Sequence, residues 1–222
     1  VTAKTKIVFI GNPDNPSGLF VSKAEVAAFL KDFPEDVLVF FDEAYFEFVS
    51  DKDYPDTLAL LRSRKNIIVA RTFSKLFGLA GLRIGYAAAH ADVAGLMDRA
   101  REPFNVTSLA QAAAVAALND GAYYQKILKI LNRERDLLCA QLVRMGLEFS
   151  KGATNFIQVK VPKDSRDVVL GLIKKGVIVR DMSVWGLQNY IRVTIGTPAE
   201  NKRFLKALKE ILSGSTGREA KK

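Results

Sequence analysis

A single cysteine, a single histidine and no long apolar run are what this 222-residue sequence offers where many proteins carry disulfides, metal sites or membrane anchors. One cysteine, Cys139, excludes an internal disulfide and fits a reducing compartment, which points to the cytoplasm. It falls in a helical pattern and reads as inert core. One histidine, His90, excludes any site that needs two, and no metal is expected. Following an apolar run, it reads as a structural or surface residue. No stretch approaches the roughly eighteen apolar residues that a membrane helix needs. The first residues also lack the basic start, apolar middle and small-residue cleavage site of a secretory signal. Neither a membrane nor nucleic acid is an expected partner. The net charge of +9 is accompanied by no groove-reading motif and no interleaving of aromatic and basic residues. Anionic small molecules are the better explanation of that excess.

What is present is ordinary globular composition, with 49% apolar and 26% charged residues. The length allows one large domain or a large and a small one. Ile7 to Ile10 is a short apolar run ended by the turn GNPDNPSG. Ser22 with Glu25 forms a capping-box pattern for a helix over Lys23 to Lys31. Val37 to Phe41, Ile67 to Ala70 and Ile84 to Ala89 read as strands, with a short helix from Thr57 to Arg64 between the first two. Apolar runs separated by helical segments predict a parallel sheet covered on both faces. Helices are expected over Asp92 to Arg101, Leu109 to Leu118 and, at greater length, Gly121 to Met145. Beyond it the pattern changes to a half-buried strand at Phe156 to Val161 and a helix at Arg166 to Lys175. Strands at Val177 to Arg180 and Tyr190 to Ile195 and an amphipathic helix at Pro198 to Leu212 complete it. The organisation predicted is an α/β domain over 1–120, a linking helix over 121–145, a small α+β domain over 146–212 and a disordered tail over 213–222.

The densest chemistry lies in RTFSKLFGLAGLRIGY, from Arg71 to Tyr86. Burial disfavours the ammonium form of a lysine, so one placed in an apolar, glycine-rich loop is a candidate nucleophile toward a carbonyl. Lys75 is that candidate. The neighbouring hydroxyls of Thr72 and Ser74, with Arg83, suit an anionic group such as a phosphate. Ligands of open parallel sheets bind beyond the carboxyl ends of the strands. On that rule Asn12 and Asn15, then Asp42 and Tyr45, then Lys75 converge from three successive strand ends. A turn-shaping asparagine, a capping aspartate, an edge tyrosine and a surface lysine are the plain alternatives. Together these residues supply what a pyridoxal cofactor requires: an amine for its aldehyde, a carboxylate for its ring nitrogen, donors for its phenolic oxygen and a cradle for its phosphate.

NPDNPSG, DEAY and SKLFGLAGLRIGY, in this order and at these distances, resemble the fold-type I pyridoxal-phosphate aminotransferases, and within them the histidinol-phosphate branch. The resemblance spans Ile7 to Leu212. It implies an α/β fold of type I, with a mainly parallel large-domain sheet, flanking helices and a small C-terminal α+β domain. It also implies pyridoxal 5'-phosphate as cofactor and a homodimer as the assembly. By the same resemblance Lys75 carries the cofactor and shuttles the proton, Asp42 pairs with the ring nitrogen, and Asn15 and Tyr45 bond the phenolic oxygen. Thr72, Ser74 and Arg83 hold the phosphate. Asn155 in the TNF element lines the site, Arg192 clamps a substrate carboxylate, and Arg180 helps to bind a substrate phosphate. The bland alternative for Arg180 is a salt bridge with Asp181. Ser17 departs from the commoner threonine and keeps the hydroxyl.

The activity this implies is transamination between histidinol phosphate and 2-oxoglutarate in histidine biosynthesis. Threonine-phosphate decarboxylation and aromatic or broad-specificity transamination are the near alternatives. A non-enzymatic sensing or dimerisation module is the distant one. Relatives carry an N-terminal segment with an entry arm, an aromatic stacked on the ring and a tyrosine reaching the neighbouring subunit. None of it can be located here, so the sequence is expected to be about the C-terminal two-thirds of such an enzyme.

Overall fold

The computed structural model describes residues 1–214, so the expected disordered tail lies, from residue 215 on, outside the described residues. The chain forms two compact units, Val1–Asn15 with Leu19–Leu128 and Pro16–Gly18 with Lys129 onward. The division falls inside the long helix, which the sequence pattern set apart as a segment of its own.

The first unit holds four strands, β1 (Ile7–Gly11), β2 (Leu38–Asp42), β3 (Ile67–Thr72) and β4 (Gly85–Ala89), side by side in that order. β1, β2 and β3 pair parallel, and β4 pairs antiparallel to β3. The parallel pairs follow from their connections, in which α1 (Lys23–Lys31) and α2 (Thr57–Leu60) return the chain to the same end of the sheet. The link from Phe73 to Ile84 contains only a 3-10 turn at Ala80–Leu82, so the chain doubles back and the expected parallel sheet becomes mixed.

The start of α1 is the predicted capping box. Ser22 Oγ accepts from the Glu25 N–H at 3.3 Å, and Glu25 Oε2 accepts from the Ser22 N–H at 2.8 Å. The inner side of α1 then buries Val26 and Leu30, and with Phe33 these pack on Val39, Phe41, Ile67 and Val69. α2 stops four residues short of Arg64. There the last turn tightens to i−3 bonds, and the Arg64 guanidinium is drawn to the Leu30 carbonyl at 2.5 Å. The opposite face of the sheet is not covered along its whole width, contrary to the expectation. Ile7 and Phe9 on β1 are 43% and 69% exposed. Further along, α3 (Ala91–Ala100) starts at His90, whose Nδ1 accepts from the Asp92 N–H, so the one histidine is a helix cap. α4 (Ser108–Asn119) buries Ala110, Ala114 and Ala117.

The second unit is an antiparallel sheet, β5 (Phe149–Ser150), β6 (Phe156–Lys160), β7 (Arg180–Asp181) and β8 (Tyr190–Thr194), in the order β5-β6-β8-β7. α5 (Gly121–Arg144) enters it with Leu138, Cys139 and Leu142, α6 (Ser165–Lys174) with Val168 and Leu172, and α7 (Pro198–Leu212) with Phe204, Ala207, Leu208 and Ile211. The i, i+3, i+4, i+7 spacing in α7 is the apolar stripe of an amphipathic helix. These residues close over Ile157, Val159, Ile191 and Val193 on one face of the sheet.

Two expectations change here. β6 is buried along both faces through Val159 and not half-buried. Val177 to Val179 do not form a strand. The Val177 N–H is used by the Leu172 carbonyl at 2.9 Å in a helix-ending turn that Gly176 makes at φ +71°. Only Arg180 and Asp181 remain to pair. Pro16–Gly18 joins this unit through backbone contact, with the Ala153 N–H donating to the Gly18 carbonyl at 2.7 Å. A Cβ at Gly152 would lie 2.7 Å from that carbonyl oxygen, so only glycine fits.

Candidate active site

Strand register brings the first set of candidates to one edge. Gly11 pairs with Asp42 and Asp42 with Ala70, so β1 and β2 end level with one another, and β3 runs two residues further beside β4, to Thr72. The ladder runs one residue further, from the Asn12 N–H to the Asp42 carbonyl at 2.9 Å and from the Glu43 N–H to the Ala70 carbonyl at 2.8 Å. Asp42 and Thr72 are the last residues of β2 and β3, and Asn15, Tyr45, Ser74 and Lys75 follow beyond this edge, the end at which open parallel sheets bind ligands.

Each side chain there has a local reason for its place. Asn12 is fully buried and accepts from the Val21 N–H at 2.8 Å while donating to the Val21 carbonyl at 3.2 Å. That closes the turn that presents the exposed Asn15. Asp42 is exposed, with Oδ1 accepting from the Ala44 N–H at 3.0 Å. This short turn fixes the direction of the carboxylate. Tyr45 is buried, its ring packing on Phe48 at 6.4 Å between centroids. Lys75 Nζ lies 5.1 Å from the centroid of the Tyr45 ring, close enough for a cation–π contact. Lys75 itself is half-buried, and Gly78, Gly81 and Gly85 around it are exposed, so the loop is more open than its apolar sequence implies.

Thr72 Oγ1 accepts from the Ser74 N–H at 3.0 Å, which leaves its own proton to donate. Arg83 sits in the left-handed region at φ +52°, an uncommon conformation for a side-chain-bearing residue, held by an Nη1 bond to the Ala80 carbonyl at 2.8 Å. That bond uses one of five guanidinium N–H donors. Next to it a Cβ at Gly85 would meet the Arg71 carbonyl oxygen at 2.7 Å, so the hairpin closes only on glycine.

Behind this edge lies a group that the reading of the motifs passed over. Glu43 is fully buried. Its carboxylate takes the Arg71 Nε–H at 2.8 Å, the Thr57 hydroxyl at 2.5 Å and lies 3.0 Å from the Tyr54 hydroxyl, which also reaches the Asn12 carbonyl. The Arg71 guanidinium stacks 3.4 Å over the Phe46 ring. Burial alone would ease loss of the Arg71 proton, but the bond to Glu43 and its charge outweigh that. Burial, then the Glu43 charge, push the Tyr54 hydroxyl well above its ordinary range, so Tyr54 keeps its proton. Glu47 nearby is also raised, by burial first, and its Oε2 is buried without a hydrogen-bond partner among the described residues. A signal for Glu43 did exist in the sequence: Val39, Phe41 and Glu43 share one face by period two, and the first two are core.

The second set of candidates belongs to the second unit. On β6, β8 and β7, Gln158 pairs with Arg192 and Arg192 with Arg180, so the two arginines stand directly opposite each other. Arg192 lies 4.9 Å over the Phe156 ring and Arg180 6.0 Å from the Trp185 ring. The Gln158 amide nitrogen is buried with no hydrogen-bond partner among the described residues. Asp181 is not committed to Arg180 by any contact of the kind expected. It takes the Ser165 hydroxyl at 2.6 Å, the Ser183 hydroxyl at 2.6 Å and the Ser183 N–H at 2.9 Å. Burial would raise the Asp181 carboxyl, yet those bonds hold it below its ordinary value. Asn155 lies between Thr154, whose carbonyl takes the buried Arg135, and β6. Its own carbonyl accepts from the Ile195 N–H at 2.9 Å.

A groove of about 1140 Å³ between α5 and α7 is lined by Leu137, Met145, Leu205 and Leu212 and includes none of the candidate residues. Among the described residues no group of three or more histidine, cysteine or acidic side chains is placed to hold a metal ion, and no helix is long and apolar enough to cross a membrane. Cys139 is buried, and burial pushes its thiol up, away from reactivity.

Known proteins share both the pattern and the fold. A histidinol-phosphate aminotransferase of Carboxydothermus hydrogenoformans is 46% identical over 213 residues, which cover 96% of this chain and 59% of that protein. The crystal structure of a histidinol-phosphate aminotransferase from Sinorhizobium meliloti in complex with pyridoxal-5'-phosphate matches with a TM-score of 0.86 at 34% identity, over 93% of this chain and 57% of that one. An L-threonine-O-3-phosphate decarboxylase from Porphyromonas gingivalis matches with a TM-score of 0.80 at 27% identity, over 95% of this chain and 66% of that one. The chain therefore spans less than two thirds of the length of each of these proteins. Its fold is that of the fold-type I aminotransferases, with three parallel strands and an antiparallel fourth in the first unit. The sequence profile described as "Aminotransferase class I and II" runs over residues 1–208, and the chain belongs to that family.

Proposed function

We propose that this chain is the larger part of a pyridoxal-phosphate-dependent aminotransferase acting on a phosphorylated amino substrate, histidinol phosphate with 2-oxoglutarate as the acceptor. The observation that carries the substrate class is the cross-strand pair Arg180 and Arg192. Like charges directly opposite on a sheet repel, and bound anions, a substrate phosphate at Arg180 and an acceptor carboxylate at Arg192, offset that cost. The buried, unpartnered Gln158 amide in the same row supports an additional acceptor there. The relatives named above, all three of which act on phosphorylated amino compounds by their names, support the same class.

The residues of the first unit fit the cofactor. Asp42 is exposed and held by Ala44, a carboxylate available to a protonated ring nitrogen. Thr72 has a hydroxyl proton to give, and Arg83 has donors beyond the one spent on Ala80, so both suit a phosphate. Pyridoxal phosphate supplies an aldehyde for the amine and a ring that takes up the electron pair of the breaking Cα–H bond. Lys75 would then have two tasks at one nitrogen, holding the cofactor at its aldehyde and moving the proton at the substrate carbon. Tyr45 and Asn15 are read as donors to the phenolic oxygen, and Asn155 as a lining residue.

A whole protein of this kind is read as a cytoplasmic homodimer, which sedimentation of the full-length protein tests. The decisive experiment treats full-length protein with pyridoxal phosphate and borohydride and locates the fixed cofactor by peptide mass. Fixation on the peptide carrying Lys75, lost in Lys75→Ala together with turnover by at least about 10³-fold, is expected. Cofactor fixed elsewhere in Lys75→Ala, or turnover retained, sinks the assignment. Rates with histidinol phosphate, threonine phosphate and phenylalanine separate the proposed aminotransferase from a decarboxylase and from an aromatic enzyme. Absence of turnover on all three, with cofactor bound, leaves the sensing module.

A further inference from the structure

The buried carboxylate behind the strand ends has no role in the chemistry just described, yet it is bonded by three side chains, those of Arg71, Thr57 and Tyr54. It is connected to the ends of the three parallel strands. Tyr54 links it to the Asn12 carbonyl just past β1, and Glu43 itself follows β2. Arg71 belongs to β3, where its cross-strand neighbour is Tyr86 of β4. This network begins where the backbone ladder stops, one residue past Gly11 and Asp42. Each partner is adjacent in sequence to a residue of the proposed cofactor site: Glu43 to Asp42, and Arg71 to Thr72.

We propose that Glu43 is a positioning residue, whose ion pair with Arg71 fixes the ring-binding Asp42 at a set distance from the phosphate-binding Thr72. The inference rests on the cofactor reading given above. The physical logic is the two-residue period of extended chain, in which neighbouring side chains point to opposite faces. Phe41 and Glu43 are fully buried and Asp42 between them is exposed. With the Glu43 carboxylate locked inward by Arg71, Thr57 and Tyr54, Asp42 has only the outward direction. The same ion pair stops β3 from sliding against β2, because the Arg71 guanidinium is clamped between Glu43 and the Phe46 ring. The spacing of two anchor points for one rigid ligand then no longer depends on flexible side chains.

The test uses full-length protein and three readouts: the dissociation constant of pyridoxal phosphate, the pH midpoint of the visible band of bound cofactor, and the unfolding midpoint without cofactor. Glu43→Gln keeps the shape and removes the charge. It is expected to weaken cofactor binding about tenfold, the scale on which outer-shell partners act, and to displace the pH midpoint. Thr57→Val is a milder variant that removes one donor to Glu43 at nearly constant shape. It is expected to weaken binding about threefold, the effect of one lost hydrogen bond. Both effects must persist at temperatures where the cofactor-free variants remain folded. If cofactor affinity and pH midpoint match the parent in Thr57→Val, and in Glu43→Gln where it folds, while only the unfolding midpoint falls, the role is structural and the proposal is overturned. A parent protein that binds no pyridoxal phosphate overturns the cofactor reading and this inference with it. A parent that binds normally beside unaffected variants overturns the inference alone.

Discussion

The second unit closes its core from its own residues, whereas the first leaves part of one sheet face open and concentrates its order at the strand ends. In the second unit three helices cover one sheet face, and Leu142, Leu172, Ile191 and Leu208 are fully buried. In the first, the core under α1 is smaller, and Phe9 is 69% exposed, with the Phe40 ring 5.1 Å from its own. Both units bury a glutamate, one after a strand and one within α5, with different partners. Glu134 is held by the Asn201 amide at 3.0 Å, and the same amide ties down Gly196 beyond β8. Glu43 is held by an arginine, a tyrosine and a threonine at the edge where the candidate cofactor residues lie. Where apolar area is plentiful, stability comes from burial. Where chemistry must sit on an exposed edge, polar groups fix the geometry instead.

The contrast makes the largest stability difference a matter of which unit is mutated. Leu142→Ala should destabilise the second unit by about 2–5 kcal/mol, the range for a deleted core leucine. Its readout is the urea midpoint of the single tryptophan, Trp185, which lies in that unit. Phe9→Ala, by contrast, should cost under about 1 kcal/mol in hydrogen exchange of the β2 and β3 amides, since an exposed ring has little to lose. Equal losses at the two positions would break the contrast.

An intermediate effect should be the same in both units. α1 and α7 each begin with a full capping box, Ser22 with Glu25 and Thr197 with Glu200. Ser22→Ala and Thr197→Ala should each cost about 1 kcal/mol, whatever the surrounding core. A tenfold disparity between them would show that the caps, too, depend on the unit.

The smallest effect expected is a pH dependence confined to the first unit. Burial raises the Glu47 carboxyl in the folded state, so the unfolded chain ionises first as pH rises. Stability is therefore unaffected well below the ordinary glutamate value of about 4.3 and is lost as pH climbs from there through the folded value. Glu47→Gln should remove that loss, so the variant gains on the parent as pH rises toward neutrality. A difference that stays constant between acid and neutral pH would show that Glu47 does not titrate as its burial requires.

Much of this is legible in the sequence. α1, with its capping box, was fixed to the residue, because capping and the apolar stripe of Val26 and Leu30 are local properties. The three parallel strands and the order of the candidate residues along the chain were legible as well, since an apolar run followed by turn residues marks a strand end. Val177 to Val179 were misread for a physical reason: β-branched residues suit a strand, but the preceding helix needed the Val177 N–H to end its last turn. Glu43 was missed because it stood among better-known neighbours, although its inward phase after Val39 and Phe41 was visible.

By itself, the sequence determined the order of the candidate residues along the chain and the fold class, because motifs, caps and apolar periods are written in neighbouring residues. It also placed Lys75, Asp42 and Asn15 beyond successive strand ends. Only the tertiary structure decided that β4 turns back antiparallel, that Arg180 stands opposite Arg192, and that Glu43 meets Arg71, Tyr54 and Thr57. Those facts depend on pairings between residues distant in sequence. No local preference encodes such a pairing, because its free energy comes from desolvation and hydrogen bonds that exist only once the strands have met.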